Sequence, residues 1–198
     1  MARLAVLASG NGSNFQAIVE ALRAAAAAGG RRHGCVLLVH DRRAAYAAER
    51  ARALGVPARY LPYAGRSREE AEAELAAALD EAGAELVALA GFMRLLSPAF
   101  VAARRGRVVN VHPAVLPAWP GAGSIRRAYE AGAAEFGATV HFVDEGMDTG
   151  PILIQEAFRP APGSSLAEIE RATHEIEHRI YPRAVLGLLD AIEAEGRA

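Results

Sequence analysis

Three groups of polar residues have the types and spacing to do chemistry. In NVHP, Asn110 and His112 stand two apart and share one face of a strand. An amide donor beside an imidazole can hold an oxyanion and deliver a proton near neutral pH. Asp148 follows in the turn-forming stretch EGMDTGP, residues 145–151. If the chain returns to the strand end, this carboxylate can orient the imidazole and favour its charged form. A structural His and Asn pair remains open on these residues alone. The second group is HEIEH, residues 174–178, which spells HExxH. On a helix, His174 and His178 would share a face that can hold zinc, with Glu175 as general base. That reading lacks a third ligand, since no histidine follows His178 and Glu193 and Glu195 continue the same helix. The third group is SGNGSN, residues 9–14, whose glycines allow a tight fold that turns backbone amides at a helix N-terminus toward an anion. Gly10 and Gly12 give GxG, but Phe15 occupies the third glycine position, and the Lys and Ser/Thr of a P-loop are missing. A phosphate cradle and a plain turn both remain open here.

The elements that must position these groups alternate along the chain. RLAVLA (3–8), CVLLVH (35–40), ARYLP and ELVALA (85–90) read as strands, with amphipathic or alanine-rich helical stretches between them. Continuous apolar strands separated by helices imply a parallel α/β sheet buried on both faces. In such a sheet, ligands bind beyond the carboxyl ends of strands, which is where SGNGSN and GFMRLLSP (91–98) fall. As a turn, the latter is expected to send Phe92 and Met93 into the core. After RVVNV (107–111) comes the proline-rich loop HPAVLPAWPG, then a short helix over Ile125 to Ala131. FGATVHFVDE and PILIQEAFRP read as antiparallel strands, and Leu166 to Glu195 as a closing helix kinked near Pro182.

Composition narrows the function classes. The 198 residues fit one domain with one substantial core. A net charge of −1 with mixed signs leaves no electrostatic footprint for nucleic acid or an anionic membrane. No apolar window approaches a membrane span, so a cytoplasmic protein handling small molecules is expected. All 22 basic residues are arginine, which excludes lysine chemistry; their scatter reads as compositional bias. The single cysteine, Cys35, reads as a buried structural thiol.

Taken together, VLASGNGSNFQAI, LAGFMRLLSPAF, NVHPAVLPAWPG, HFVDEGMDTGPIL and the EHRIYP of the last helix resemble, in order and over nearly the whole chain, the phosphoribosylglycinamide formyltransferase family of folate-dependent enzymes. The resemblance implies a Rossmann-like formyltransferase fold: a mostly parallel central sheet with antiparallel C-terminal strands, helices on both faces and a long C-terminal helix. It implies one domain over 1–198, with a phosphate-binding half at about 1–100 and a catalytic and folate-binding half at about 101–198. The implied reaction moves the formyl group of 10-formyltetrahydrofolate, a co-substrate, to the amine of glycinamide ribonucleotide without a metal. Asn110, His112 and Asp148 are the implied catalytic trio, with His112 the proton donor. Gly12, Ser13, Asn14, His174, Glu175, Ile176 and Glu177 would meet the ribonucleotide, which makes HEIEH a sugar clamp. Arg68, Met93, Arg94, Leu95, Leu96, Asn110, Asp144, Glu145, Gly146, Met147 and Asp148 would line the folate site. The family's fold also implies a cis Leu116–Pro117 bond, and the protein would act as a monomer or homodimer. Two positions depart from the family pattern: Ala114 stands where a serine is common, and Gly123 where a histidine is frequent, which bears on substrate positioning.

The rival readings differ in what they require. A formyltetrahydrofolate hydrolase would carry a further N-terminal domain and a transfer-RNA formyltransferase a C-terminal one, neither of which fits in 198 residues. A non-catalytic nucleotide-binding module accounts for the first loop but leaves Asn110, His112 and Asp148 converging without a task. A zinc protease rests on HEIEH alone.

Overall fold

Unbroken apolar runs become the central strands. The computed structural model describes residues 1–196. Five strands, β1 (Arg3–Ala8), β2 (Gly34–His40), β3 (Ala58–Tyr60), β4 (Leu86–Leu89) and β5 (Val108–His112), run parallel; β6 (Phe136–Phe142) and β7 (Ile152–Phe158) are added antiparallel. Their order across the sheet is β3-β2-β1-β4-β5-β6-β7. The strand order reverses between β1 and β4, which opens a crevice beyond their carboxyl ends.

Six helices cover this sheet: α1 (Ser13–Ala27), α2 (Tyr46–Ala53), α3 (Arg68–Glu81), α4 (Pro98–Ala103), α5 (Ser124–Glu130) and α6 (Leu166–Glu195). The two-residue pleat sends Leu4, Val6 and Ala8 to one face, beneath Phe15, Ile18 and Leu22 of α1 and Ile180, Val185 and Leu189 of α6. Ala5 and Leu7 point to the other face, beneath Leu75 and Leu79 of α3 and Phe100 of α4. This is the expected class: a mostly parallel sheet, antiparallel at its C-terminal edge, with helices on both faces and a long final helix. Capping residues set the helix starts. Ser67 with Glu70 and Ser165 with Glu168 form capping boxes at α3 and α6.

Several local expectations change. Helix α2 begins at Tyr46, because residues 42–45 form a turn. Helix α4 is an addition to the expected elements, although Ser97 as N-cap and Pro98 in the first turn are its signal. Phe92 is buried as expected, but Met93 is 58% exposed because the turn after β4 directs it to the crevice. Cys35 is half-buried against the first core layer. Helix α6 continues through Pro182 as one element. The Leu116–Pro117 bond is cis, as the resemblance implied. Among the described residues, no helix is long and apolar enough to cross a membrane.

One side chain of α6 ties the helix to the strand ends that carry the site. Tyr181 is completely buried, and its hydroxyl is shared between the carbonyls of Leu89 on β4 (3.0 Å) and Val109 on β5 (3.1 Å). A buried hydroxyl needs such an acceptor. Tyr181→Phe is expected to lower unfolding free energy by about 1 kcal/mol at unchanged m-value, whereas Tyr181→Ala, which also opens a cavity, is expected to cost about 3–5 kcal/mol. Urea titration of both variants checks this, and equal losses would show that the hydroxyl contributes nothing.

Candidate active site

The antiparallel pairing of β5 with β6 sets Asn110 opposite His141 and His112 opposite Thr139. Loop 143–150 then brings Asp148 back over this pair. Its carboxylate faces His112 Nδ1 from Oδ2 at 3.3 Å, while Oδ1 accepts from Asn110 Nδ2 at 3.5 Å and lies 3.6 Å from His141 Nε2. The Gly121 amide donates to Oδ2 at 2.7 Å. Burial by itself would raise the Asp148 pKa. The hydrogen bond from His141, the Gly121 amide and the charges of the two imidazoles outweigh it and hold the group down at about 2. The carboxylate is therefore a fixed negative charge throughout the working range of a histidine.

The histidines are held as firmly. His112, buried at the end of β5, directs Nε2 to the Trp119 carbonyl at 2.9 Å, so that nitrogen carries a proton. His141 directs Nδ1 to the Phe142 carbonyl at 2.8 Å, which leaves Nε2 facing the Asn110 amide at 3.3 Å. Trp119 and Asp148 both sit at positive φ (58° and 57°), a region costly for residues other than glycine. Their neighbours enforce it. A Cβ on Gly150 would lie 1.9 Å from the Phe142 carbonyl, so loop 143–150 can close only with glycine there. The proline-rich loop is pinned from β6 and β7: buried Thr139 donates to the Ala114 carbonyl (2.7 Å) and accepts from the Leu116 amide, and Gln155 donates to the Leu116 carbonyl (2.9 Å).

This cluster lies in the wall of a cavity of about 500 Å³ at the strand reversal. At one end the Gly10–Asn14 loop leads into α1, with Gly12 at φ 76° as its N-cap. Glu177, buried on α6, accepts from Asn14 Nδ2 (3.0 Å) and pairs with His174 Nδ1 (2.9 Å). That hydrogen bond, against the lowering effect of burial and with the Glu177 and Glu170 charges adding to it, raises the His174 pKa above its usual value. At the other end, Met93, Leu95 and Met147 expose apolar surface at 55–58% around the mouth. Arg94 is anchored to the fully buried carboxylate of Asp41 (2.6 Å), and the Met93 amide donates to Ser9 Oγ (2.8 Å).

Most of the residues singled out from the sequence meet here: Gly12, Ser13, Asn14, Met93, Arg94, Leu95, Leu96, Asn110, His112, Asp144, Gly146, Met147, Asp148, His174 and Glu177 all line the cavity. Four do not. Arg68 is exposed in the first turn of α3, Glu145 is exposed behind the loop beside Arg105, Glu175 is exposed on α6, and Ile176 is packed in the core. For the last two, one helix cannot aim four successive side chains at one ligand. The HExxH geometry also resolves differently, because the pair that meets is His174 with Glu177. Among the described residues, no group of three His, Cys, Asp or Glu side chains is arranged to hold a metal ion. Sequence reasoning missed His141, the Gly121 amide, the Trp119 carbonyl, Thr139, Ser9 and Asp41. His141 sits in the quoted HFVDE run, but only strand register reveals its role.

The profile of the formyl transferase family matches residues 2–185. The Bacillus subtilis phosphoribosylglycinamide formyltransferase is 41% identical over 96% of this chain and 95% of its own length, and the Escherichia coli enzyme of that name is 40% identical over 94% and 87%. The trifunctional purine biosynthetic protein adenosine-3 of Drosophila melanogaster is 42% identical, with this chain spanning 14% of its length. The crystal structure of glycinamide ribonucleotide transformylase 1 from Symbiobacterium toebii superposes with a TM-score of 0.89 at 39% identity, covering 96% of this chain and 89% of that one. With the family profile covering nearly the whole chain and two such enzymes matched over most of their length, the chain belongs to the formyl transferase family, among the phosphoribosylglycinamide formyltransferases.

Proposed function

We propose that this chain transfers the formyl group of 10-formyltetrahydrofolate to the amine of glycinamide ribonucleotide, with Asn110, His112 and Asp148 as its catalytic residues. The observation that carries the reading is the convergence of an amide, two imidazoles and one strongly acidic carboxylate on the wall of a cavity whose one end is a helix-terminus loop. The substrate amine attacks the formyl carbon, and negative charge develops on the formyl oxygen. The Asn110 amide and the His112 imidazolium stabilise that charge. The new C–N bond forms, the bond from carbon to the folate nitrogen breaks, and one proton passes from the attacking amine to the departing nitrogen. Protonated His112 has two N–H groups, one on Asp148 and one on the Trp119 carbonyl. Passing either to substrate requires that partner to yield. Asp148, ionised above about pH 2, stabilises the imidazolium and can hold a relaying water.

The ends of the cavity divide the two substrates. Amides of Gly12, Ser13 and Asn14 at the α1 N-terminus suit a phosphate. Glu177 suits ribose hydroxyls, and the buried Asn14 Oδ1, with no partner among the described residues, is a further acceptor facing the same end. The apolar rim of Met93, Leu95 and Met147 suits a flat folate ring. Gly123 lines the cavity; a Cβ there would have nothing within 4 Å, but its φ of 68° strains any side chain, the family's frequent histidine included. The protein is taken to work in the cytoplasm on small molecules, as a monomer or homodimer, with no metal.

A coupled absorbance assay with both substrates is expected to show turnover that requires the ribonucleotide and is indifferent to a chelator. Folate deformylation without the ribonucleotide would instead identify a hydrolase. His112→Ala is expected to lower kcat by roughly 10²–10⁴-fold while calorimetric ribonucleotide affinity stays within a few-fold; equal loss of both would remove its assigned role. A histidine whose pKa is raised keeps its charge to higher pH, so the His174 cation is complete below the usual histidine range and is lost as pH rises through the raised value. Above neutrality, where the phosphate is already a dianion (second pKa about 6), the KM for ribonucleotide is expected to climb with pH. His174→Gln should flatten that climb, and an unchanged climb in the variant would contradict the contact.

A further inference from the structure

The phosphate loop contains no cation of its own. Residues 9–14 are uncharged, and the single arginine among the cavity-lining residues, Arg94, is tied to Asp41. A loop whose work is to aim backbone amides must also be held rigid, because a misplaced donor loses most of its hydrogen-bond energy. Helix α2 does both from behind the loop. A Cβ on Gly12 would lie 2.7 Å from Ala47 Cβ, so the loop is seated directly on the first turn of α2. The Ala47 amide donates to the Gly10 carbonyl at 3.1 Å. One turn further along, Arg50 grips Asn11 twice, Nε donating to its carbonyl oxygen and Nη2 to its side-chain Oδ1, each at 2.9 Å. Its Nη1 donates to Gln16 on α1, and the guanidinium lies 5.1 Å from the Tyr46 ring centroid.

We infer that Arg50 is the positioning residue of the phosphate loop: its planar fork locks Asn11 and Gln16 in the arrangement that presents the Gly12–Asn14 amides, and its charge supplies the counterion the loop lacks. The inference rests on the reading of this loop as the ribonucleotide phosphate site. Two physical points support it. A guanidinium presents donors in a fixed fork, so one side chain can satisfy a carbonyl and an amide oxygen of the same residue and still reach a third group. An ammonium has no such fork. The charge of Arg50 is also felt on α6. Burial lowers the pKa of His178 on α6; Glu177 and Glu175 pull it up, and the lesser positive charges of His174 and Arg50 add to the lowering. The loop, α1 and α2 are thus joined through Arg50.

Steady-state kinetics of Arg50→Met and Arg50→Lys, with thermal melts and with inorganic phosphate as a competitor of the ribonucleotide, test the inference. Arg50→Met is expected to raise the KM for ribonucleotide and the phosphate inhibition constant together by roughly tenfold to a hundredfold, the scale of lost hydrogen bonds to a charged group. The KM for the formyl folate and kcat at saturation should stay within about twofold, with Arg50→Lys recovering only part of the loss because it restores charge without the fork. Unchanged ribonucleotide KM in Arg50→Met, with phosphate still competing in the wild type, would overturn the role of Arg50 and leave the loop reading standing. Absence of phosphate competition in the wild type would overturn the loop reading itself. A parallel fall in kcat and in both affinities with a lowered melting temperature would show a merely structural residue, and full recovery in Arg50→Lys would remove the fork from the account.

Discussion

The Asp148 carboxylate is the interaction on which the rest of this molecule is arranged. It is half-buried yet strongly acidic, because the His141 ring, the Gly121 amide and the His112 ring together outweigh the penalty of removing it from water. A buried charge survives only with such partners. Each partner comes from a different part of the chain: His112 from the end of a parallel strand, His141 from the antiparallel strand beside it, Gly121 from the proline-rich loop. The left-handed backbone at Asp148 and the obligatory glycine at 150 are local distortions that this convergence stabilises.

The sheet explains why the convergence falls where it does. Strand order reverses at β1 and β4, so the loops after them diverge and leave a crevice. The switch from parallel to antiparallel pairing after β5 brings β6 alongside it, so Asn110 and His141 become cross-strand neighbours. A further parallel strand would have entered through a crossover helix and could not have placed its loop over His112 in so few residues. Buried Tyr181 then fastens the long last helix to both central strand ends, and the same helix presents Glu177 and His174 to the cavity four and seven residues earlier.

Charge is distributed unevenly around the cavity. One wall holds the Asp148 carboxylate beside the His112 and His141 imidazoles. At the loop end Arg50 grips Asn11 from behind, and the mouth exposes the apolar side chains of Met93, Leu95 and Met147. The scattered arginines that gave no signal as a set in the sequence take separate places here: Arg94 on Asp41, Arg50 on Asn11, Arg104 on Asp80, Arg107 on Glu195.

By itself the sequence determined the fold class, because continuous apolar runs and helical periodicity are local properties that burial on two faces demands. It also marked Asn110, His112 and Asp148 and the SGNGSN loop, since their residue types, two-residue spacing and turn-forming neighbours are written in the chain, and the ordered blocks named the family. It did not separate Met93 from Phe92, or Ile176 from Glu177, because adjacent residues differ only in the direction the backbone gives them. Nor did it show His141, Thr139, Asp41 or Arg50. Their importance lies in partners 16 to 53 residues away or across a strand register. Only the tertiary structure decided those pairings, because strand register and helix seating are settled by packing the whole core at once and leave no local trace in sequence.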